Sequence, residues 1–122
     1  MEIEMTKVGS LASGRLWALV PSAQKCVTQD QGDHLILLIP RDIRELGGDA
    51  LRRDEIATAE RNELFGVADA LAEQLSAGLG RPGYYRLEIN GPAAASRNHL
   101  HIHIIGGRVG TKFRRCVDPI VQ

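Results

Sequence analysis

Cysteine is scarce in this chain: Cys26 and Cys116 are the only two, and they form no Cys-x-x-Cys pair. Two cysteines do not make a disulfide scaffold in a chain of this size, so a reducing compartment is expected. Long apolar runs are missing too; none reaches the roughly 18 residues of a membrane-spanning helix. The opening Met1-Glu2-Ile3-Glu4-Met5 lacks the basic-then-apolar order of a signal peptide. Nor is there an excess of charge, with 15 Lys and Arg against 15 Asp and Glu. No global field therefore draws the protein to nucleic acid or to a membrane. These absences point to a cytoplasmic protein without a membrane partner. Internal repeats and low-complexity tracts are also missing, and 122 residues form a single domain, 1–122, that buries most of its surface on folding.

What is present reads as short strands around one helix. Residues 1–14 are weakly patterned, and Gly9, Ser10, Ser13 and Gly14 favour a flexible loop. Leu16 to Val20 is a first strand stopped by Pro21, and Lys25 to Thr28 a second, ended by the turn-like Asp30-Gln31-Gly32-Asp33. His34 to Ile39 is the clearest strand, an almost continuous apolar run closed by Pro40. Such a run has both faces covered, or one face against a partner subunit.

Between Asp49 and Gly80, Ile56, Leu64, Val67, Leu71 and Leu75 fall near a 3.6-residue period. They predict a helix of about 25 residues, near 38 Å long. Asp49 or Asp54 is its expected cap, and Gly78, Gly80 and Pro82 end it. Tyr84 to Asn90 alternates as a half-exposed strand, and Gly91 to Ser96 is a loop of small residues. The expected class is α+β, an antiparallel sheet of about five strands with one long helix. Residues 109–122 form a C-terminal tail. Arg97, Arg108, Lys112, Arg114 and Arg115 make the end of the chain basic; a solvated tail is favoured over a phosphate-attracting one.

Three of the four histidines lie within five residues, in Asn98-His99-Leu100-His101-Ile102-His103-Ile104-Ile105-Gly106-Gly107. In a strand, His99, His101 and His103 share one face while Leu100, Ile102 and Ile104 bury the other. A shared metal is disfavoured: the outer two α-carbons stand about 13 Å apart, against zinc–nitrogen bonds of about 2.0–2.1 Å. A third ligand would have to be His34 or a distant carboxylate. A purely structural role would require partners for every ring nitrogen. Nucleophilic catalysis on phosphorus uses all three rings. Imidazole has an appreciable neutral fraction at pH 7, and neighbouring rings disfavour each other's protonation. One nitrogen attacks while the other is held as N–H by an acceptor, and a covalent phosphoryl- or nucleotidyl-histidine splits one hard displacement into two.

With Gly106-Gly107-Arg108 behind it, this stretch resembles the signature of the histidine triad family of nucleotidyl hydrolases and transferases. Looser similarity runs upstream to about Leu35. The resemblance implies a histidine-triad-like fold, no cofactor, no metal, and hydrolysis of a nucleoside monophosphate ester or phosphoramidate at its α-phosphate. His101, the middle histidine, is then the nucleophile, with His99 and His103 orienting it and contacting the phosphate or leaving group. Ser96, three residues before His99, corresponds to the family's phosphate-bonding serine. Asn90 corresponds to its phosphate- and ribose-side asparagine, although Asn90-Gly91 reads equally well as a plain turn. Purine nucleotides (AMP or GMP conjugates) and a homodimer are the implied partners.

The chain departs from the family pattern in several places. His34 corresponds to a fourth site histidine but stands six residues before Pro40 instead of five. In a regular strand one extra residue turns the side chain to the other face, so His34 needs a bulge to reach the site. The ribose-binding segment is not recognisable, with only Asp30 as a loose counterpart. Pro40-Arg41-Asp42-Ile43 replaces the usual Pro-Lys-Lys and its following histidine, and no Trp-Pro tail is present. Two other functions stay open: hydrolysis of dinucleoside polyphosphates or adenylylated nucleic-acid ends, suggested by the basic residues 108–115, and a non-catalytic nucleotide-binding or interaction module.

Overall fold

The computed structural model describes residues 7–22, 32–42, 44, 50–89, 91 and 99–107. Within them are five strands: β1 (Lys7–Ser10), β2 (Leu16–Pro21), β3 (Gly32–Leu38), β4 (Tyr85–Glu88) and β5 (Ile102–Gly107). They form one antiparallel sheet in the order β1-β2-β3-β5-β4, with a long helix, α1 (Thr58–Gly78), between β3 and β4 in sequence. This is the α+β class that the patterning predicts. Among the described residues no helix is long and apolar enough to cross a membrane.

The pleat divides the sheet cleanly. Trp17 and Leu19 of β2, Leu35 and Leu37 of β3, and Ile102 and Ile104 of β5 join the main core with Leu64, Leu71 and Leu75 of α1. On α1 the buried positions Glu60, Leu64, Ala68, Leu71, Ala72, Leu75 and Ser76 form one stripe. Three- and four-residue steps along a helix return to the same side, which is why these residues meet the sheet together. The opposite sheet face carries a smaller cluster of Ala18, Val20, Leu38 and Ala50, with Ile36 against it. Strand β3 is thus apolar almost throughout because both its faces lie in clusters.

Residues 7–10, expected within a loop, form an edge strand among the described residues. Lys7–Ser10 pairs with β2 from Lys7↔Leu19 to Ser10↔Leu16. Gly9, taken from sequence as a loop former, lies opposite Trp17, and a Cβ there would overlap the indole. Its role is close approach within a strand. The following turn is tied to α1: the Ser13 hydroxyl donates to Glu60 at 2.6 Å, and the Ala12 N–H to Glu63 at 3.1 Å.

The helix also starts later than predicted, and its N-cap is Ala57, not Asp54. It has 21 residues. Alanine has no side-chain acceptor, so only the reciprocal half of a capping box forms: the Ala57 N–H donates to Glu60 Oε1 at 3.0 Å. Residues 50–52 are instead extended, and Arg53–Glu55 is a short 3-10 turn. The Leu51 N–H donates to the Ile39 carbonyl at 2.9 Å, and the Leu100 N–H to the Leu51 carbonyl at 3.2 Å. A backbone already bonded on both sides in this way cannot join the helix.

The C-terminal end follows the expected glycine signal. Leu79 is the C-cap and Gly80 has φ of 85°. The Arg81 N–H reaches the Ser76 carbonyl at 3.0 Å and the Gly80 N–H the Ala77 carbonyl at 3.1 Å, the paired bonds of a Schellman motif. Gly106 of β5 lies beneath this end; a Cβ there would stand 2.9 Å from Leu79 Cδ1 and 3.0 Å from Leu75. The expected strand at 25–28, Asp30, the Asp49 cap, the basic residues from Arg97 onward, and both cysteines lie outside the described residues.

Candidate functional site

The three histidines approach one another where the β3–β5 ladder opens. From Gly32↔Gly107 to Leu37↔Ile102 the two strands pair directly. Beyond that, residues 50–52 wedge between their continuations, with Pro40 bridging Ala50 and Arg52 bridging His99. His103 is therefore fixed by the ladder, and His99 by the wedge. Leu100, Ile102 and Ile104 are fully buried in the main core, which turns the histidines to the opposite side of the sheet. The rings of His99 and His101 stand edge to face with centroids 6.1 Å apart.

His34 belongs to this group, and no bulge is needed to bring it there. It lies opposite Ile105, and Ile36 lies opposite His103, in an unbroken register. Facing pairs share a side of an antiparallel sheet, and long side chains reach the diagonal neighbour. His34 Nε2 and His103 Nδ1 are accordingly 2.8 Å apart, with ring centroids at 5.0 Å. Counting from Pro40 suggested the wrong face, because what decides the face is pairing with β5.

Both rings of this couple are buried, His34 at 2% and His103 at 9% exposure, whereas His99 and His101 are half-buried. Burial is the main cause that pushes His103 down to about 4, with His34 and His101 adding to it and Glu88 opposing. A charged ring loses hydration there and meets two like-charged rings, which together outweigh the attraction of Glu88. His103 is thus neutral at pH 7, and a single proton bridges the two nitrogens: one carries it and the other accepts.

Two charged residues that sequence reading missed border the row. Arg52 is the bridge partner of His99; its guanidinium lies 3.2 Å from Asp54. Glu88 lies directly opposite His103 on β4, and Arg86 donates to it at 2.9 Å. The sequence signal for Glu88 was the alternation of 84–90, but only the register reveals what it faces. Asn90 and Ser96 lie outside the described residues.

An open groove elsewhere is lined by Arg15, Leu16, Ile39, Pro40, Arg41, Asp42, Arg44 and Leu51. Its arginines are balanced by carboxylates: Arg15 with Glu60 at 3.5 Å, Arg41 with Glu55 at 2.6 Å, and Arg44 with Asp42 at 3.0 Å. Arg41 is also the first cause holding Glu55 down to about 2. The histidine row, where titratable rings converge, is the stronger candidate for chemistry. No group of three or more His, Cys, Asp or Glu among the described residues is arranged to hold a metal ion. No family model, curated protein or solved structure matches the chain.

Proposed function

We propose that this protein is a histidine triad nucleotidyl hydrolase that cleaves nucleoside phosphoramidates or monophosphate esters at the α-phosphorus. The observation that carries the reading is a row of three imidazoles, the third hydrogen-bonded to His34 at 2.8 Å. A neutral ring of His101 attacks phosphorus and a P–N bond forms, while the bond to the leaving amine or alcohol breaks. The leaving group takes up a proton from solvent as it departs, and the attacking water of the next step gives one back. Water then attacks the phosphorus, the P–N bond breaks, and nucleoside monophosphate leaves. His99 and His103 flank the nucleophile and contact the phosphoryl oxygens or the leaving group. Purine nucleotide conjugates as substrates, and a homodimer as the working unit, belong to the same proposal and rest on the motif.

Brief mixing with an adenosine phosphoramidate followed by mass spectrometry is the test. An adenylate adduct on His101 is expected, with turnover in His101→Ala reduced by at least about a thousandfold. Equal turnover in the variant would overturn the assignment of His101. Nucleotide binding with no turnover in the unaltered protein would favour a non-catalytic module.

A further inference from the structure

The face that carries the histidines also carries an ion pair that the proposed chemistry leaves without a role. Arg86 and Glu88 alternate on β4, and their side chains are bonded at 2.9 Å while only 34% and 22% exposed. In the register of β4 on β5, Glu88 is directly opposite His103, and Arg86 is opposite Ile105. On the other flank of β5, Ile36 of β3 is opposite His103 and His34 is opposite Ile105, and His34 bonds to His103. Arg86, Glu88, His103 and His34 therefore follow one another across β4, β5 and β3.

We propose that Glu88 is a positioning residue for the His34–His103 couple, and that Arg86 sets how strongly it acts. Cross-strand partners bring their Cβ atoms to about 4.5–5.5 Å. At such a separation, on a partly buried face, a carboxylate favours a positively charged ring, and here it works against burial and the neighbouring rings. Glu88 makes no hydrogen bond to His103, so its influence is purely electrostatic and graded. Arg86 draws off part of that field. Burial and the neighbouring rings hold the couple at one bridging proton near neutral pH, and Glu88, tempered by Arg86, sets how far the pH must fall toward 4 before a second proton enters. A second proton would leave two N–H groups facing each other across 2.8 Å, breaking the bond that orients His103.

The charged and titratable groups on this face among the described residues are few. They are His34 on β3, Arg86 and Glu88 on β4, His101 and His103 at β5, His99 ahead of it, and Arg52 on the wedge. His34 and His101 act against protonation of His103; Glu88 acts for it. The role in catalysis rests on the function proposed above. The electrostatic claim can be read without substrate.

Histidine-selective NMR titration of the full chain tests it. Glu88→Gln should lower the midpoint of His103 by about one pH unit and Arg86→Gln should raise it, with Glu88→Asp restoring most of the original value. If acid unfolding hides the Glu88→Gln midpoint, the rise in Arg86→Gln decides. A merely structural ion pair would make the Gln variants move together or not at all, and that outcome overturns the proposal. The acid limb of phosphoramidate turnover should shift in the same order. Ordered NMR midpoints without any turnover would sink the proposed function alone; turnover without ordered midpoints would sink the role of Glu88 alone.

Discussion

His103 couples the charge state of the candidate site to the stability of the molecule. Its ring is held down to about 4 in the folded protein, against an ordinary value near 6.5. Between those limits the unfolded chain binds a proton that the folded chain refuses, so the contribution is complete above about pH 6.5 and is lost as pH falls toward 4. The loss amounts to at most about 3 kcal/mol. Urea unfolding midpoints should fall accordingly between pH 7.5 and 4.5, and His103→Asn should flatten that slope. Identical slopes in the two proteins would show that His103 is not the group responsible. At this scale the alternation of His99 to Ile104 was legible, since a period of two needs only neighbouring residues. The opposition of Glu88 to His103 and of Arg52 to His99 was not, because cross-strand register is a long-range property. The facing of His34 was not settled by counting from Pro40 for the same reason.

Among the elements, three glycines separate packing from propensity. Gly106 lies where a Cβ would press on Leu75 and Leu79, so Gly106→Ala should destabilise by about 1–3 kcal/mol, through overpacking at the end of α1. Gly9→Val should do at least as much harm, because the indole it meets is rigid and buried. Gly66 is the opposite case: exposed, inside α1, with open space around its Cβ direction. Gly66→Ala should therefore stabilise by about 0.5–1 kcal/mol. Chemical denaturation of the three variants checks the order, and a destabilising Gly66→Ala would contradict the helix placement. The helix body and its C-terminal stop were readable from periodicity and from Gly80. Its start was not: residues 50–52 are extended because Ile39 and Leu100 bond them, and neither partner is near in sequence. Strand β1 escaped notice because a glycine that admits an indole looks, in sequence alone, like a loop.

For the molecule as a whole, the sheet order puts β3 and β5 at the centre and β1 and β4 at the edges. Buried, doubly flanked strands open only with global unfolding, whereas a four-residue edge strand can detach alone. Native-state hydrogen exchange should show the slowest amides in β3, β5 and the Leu64–Leu75 part of α1, and the fastest strand amides in β1. Equal protection of β1 and β5 would argue for a different order of strands. The histidines sit on the slow elements or beside them, which keeps His34 and His103 in register while the periphery moves.

The wedge at 50–52 gives the row two separate anchors. One end, His103, is secured by the central ladder; the other, His99, leans on residues 50–52, held by backbone bonds to Ile39 and Leu100 and by the packing of Ala50 and Leu51. Loosening that segment, for example with Leu51→Gly, would splay the first ring from the second while the buried couple stayed intact. The spacing between His99 and His101 is thus adjustable through residues 50–52, distant from both in sequence, and a wider leaving group would be admitted by altering this wedge.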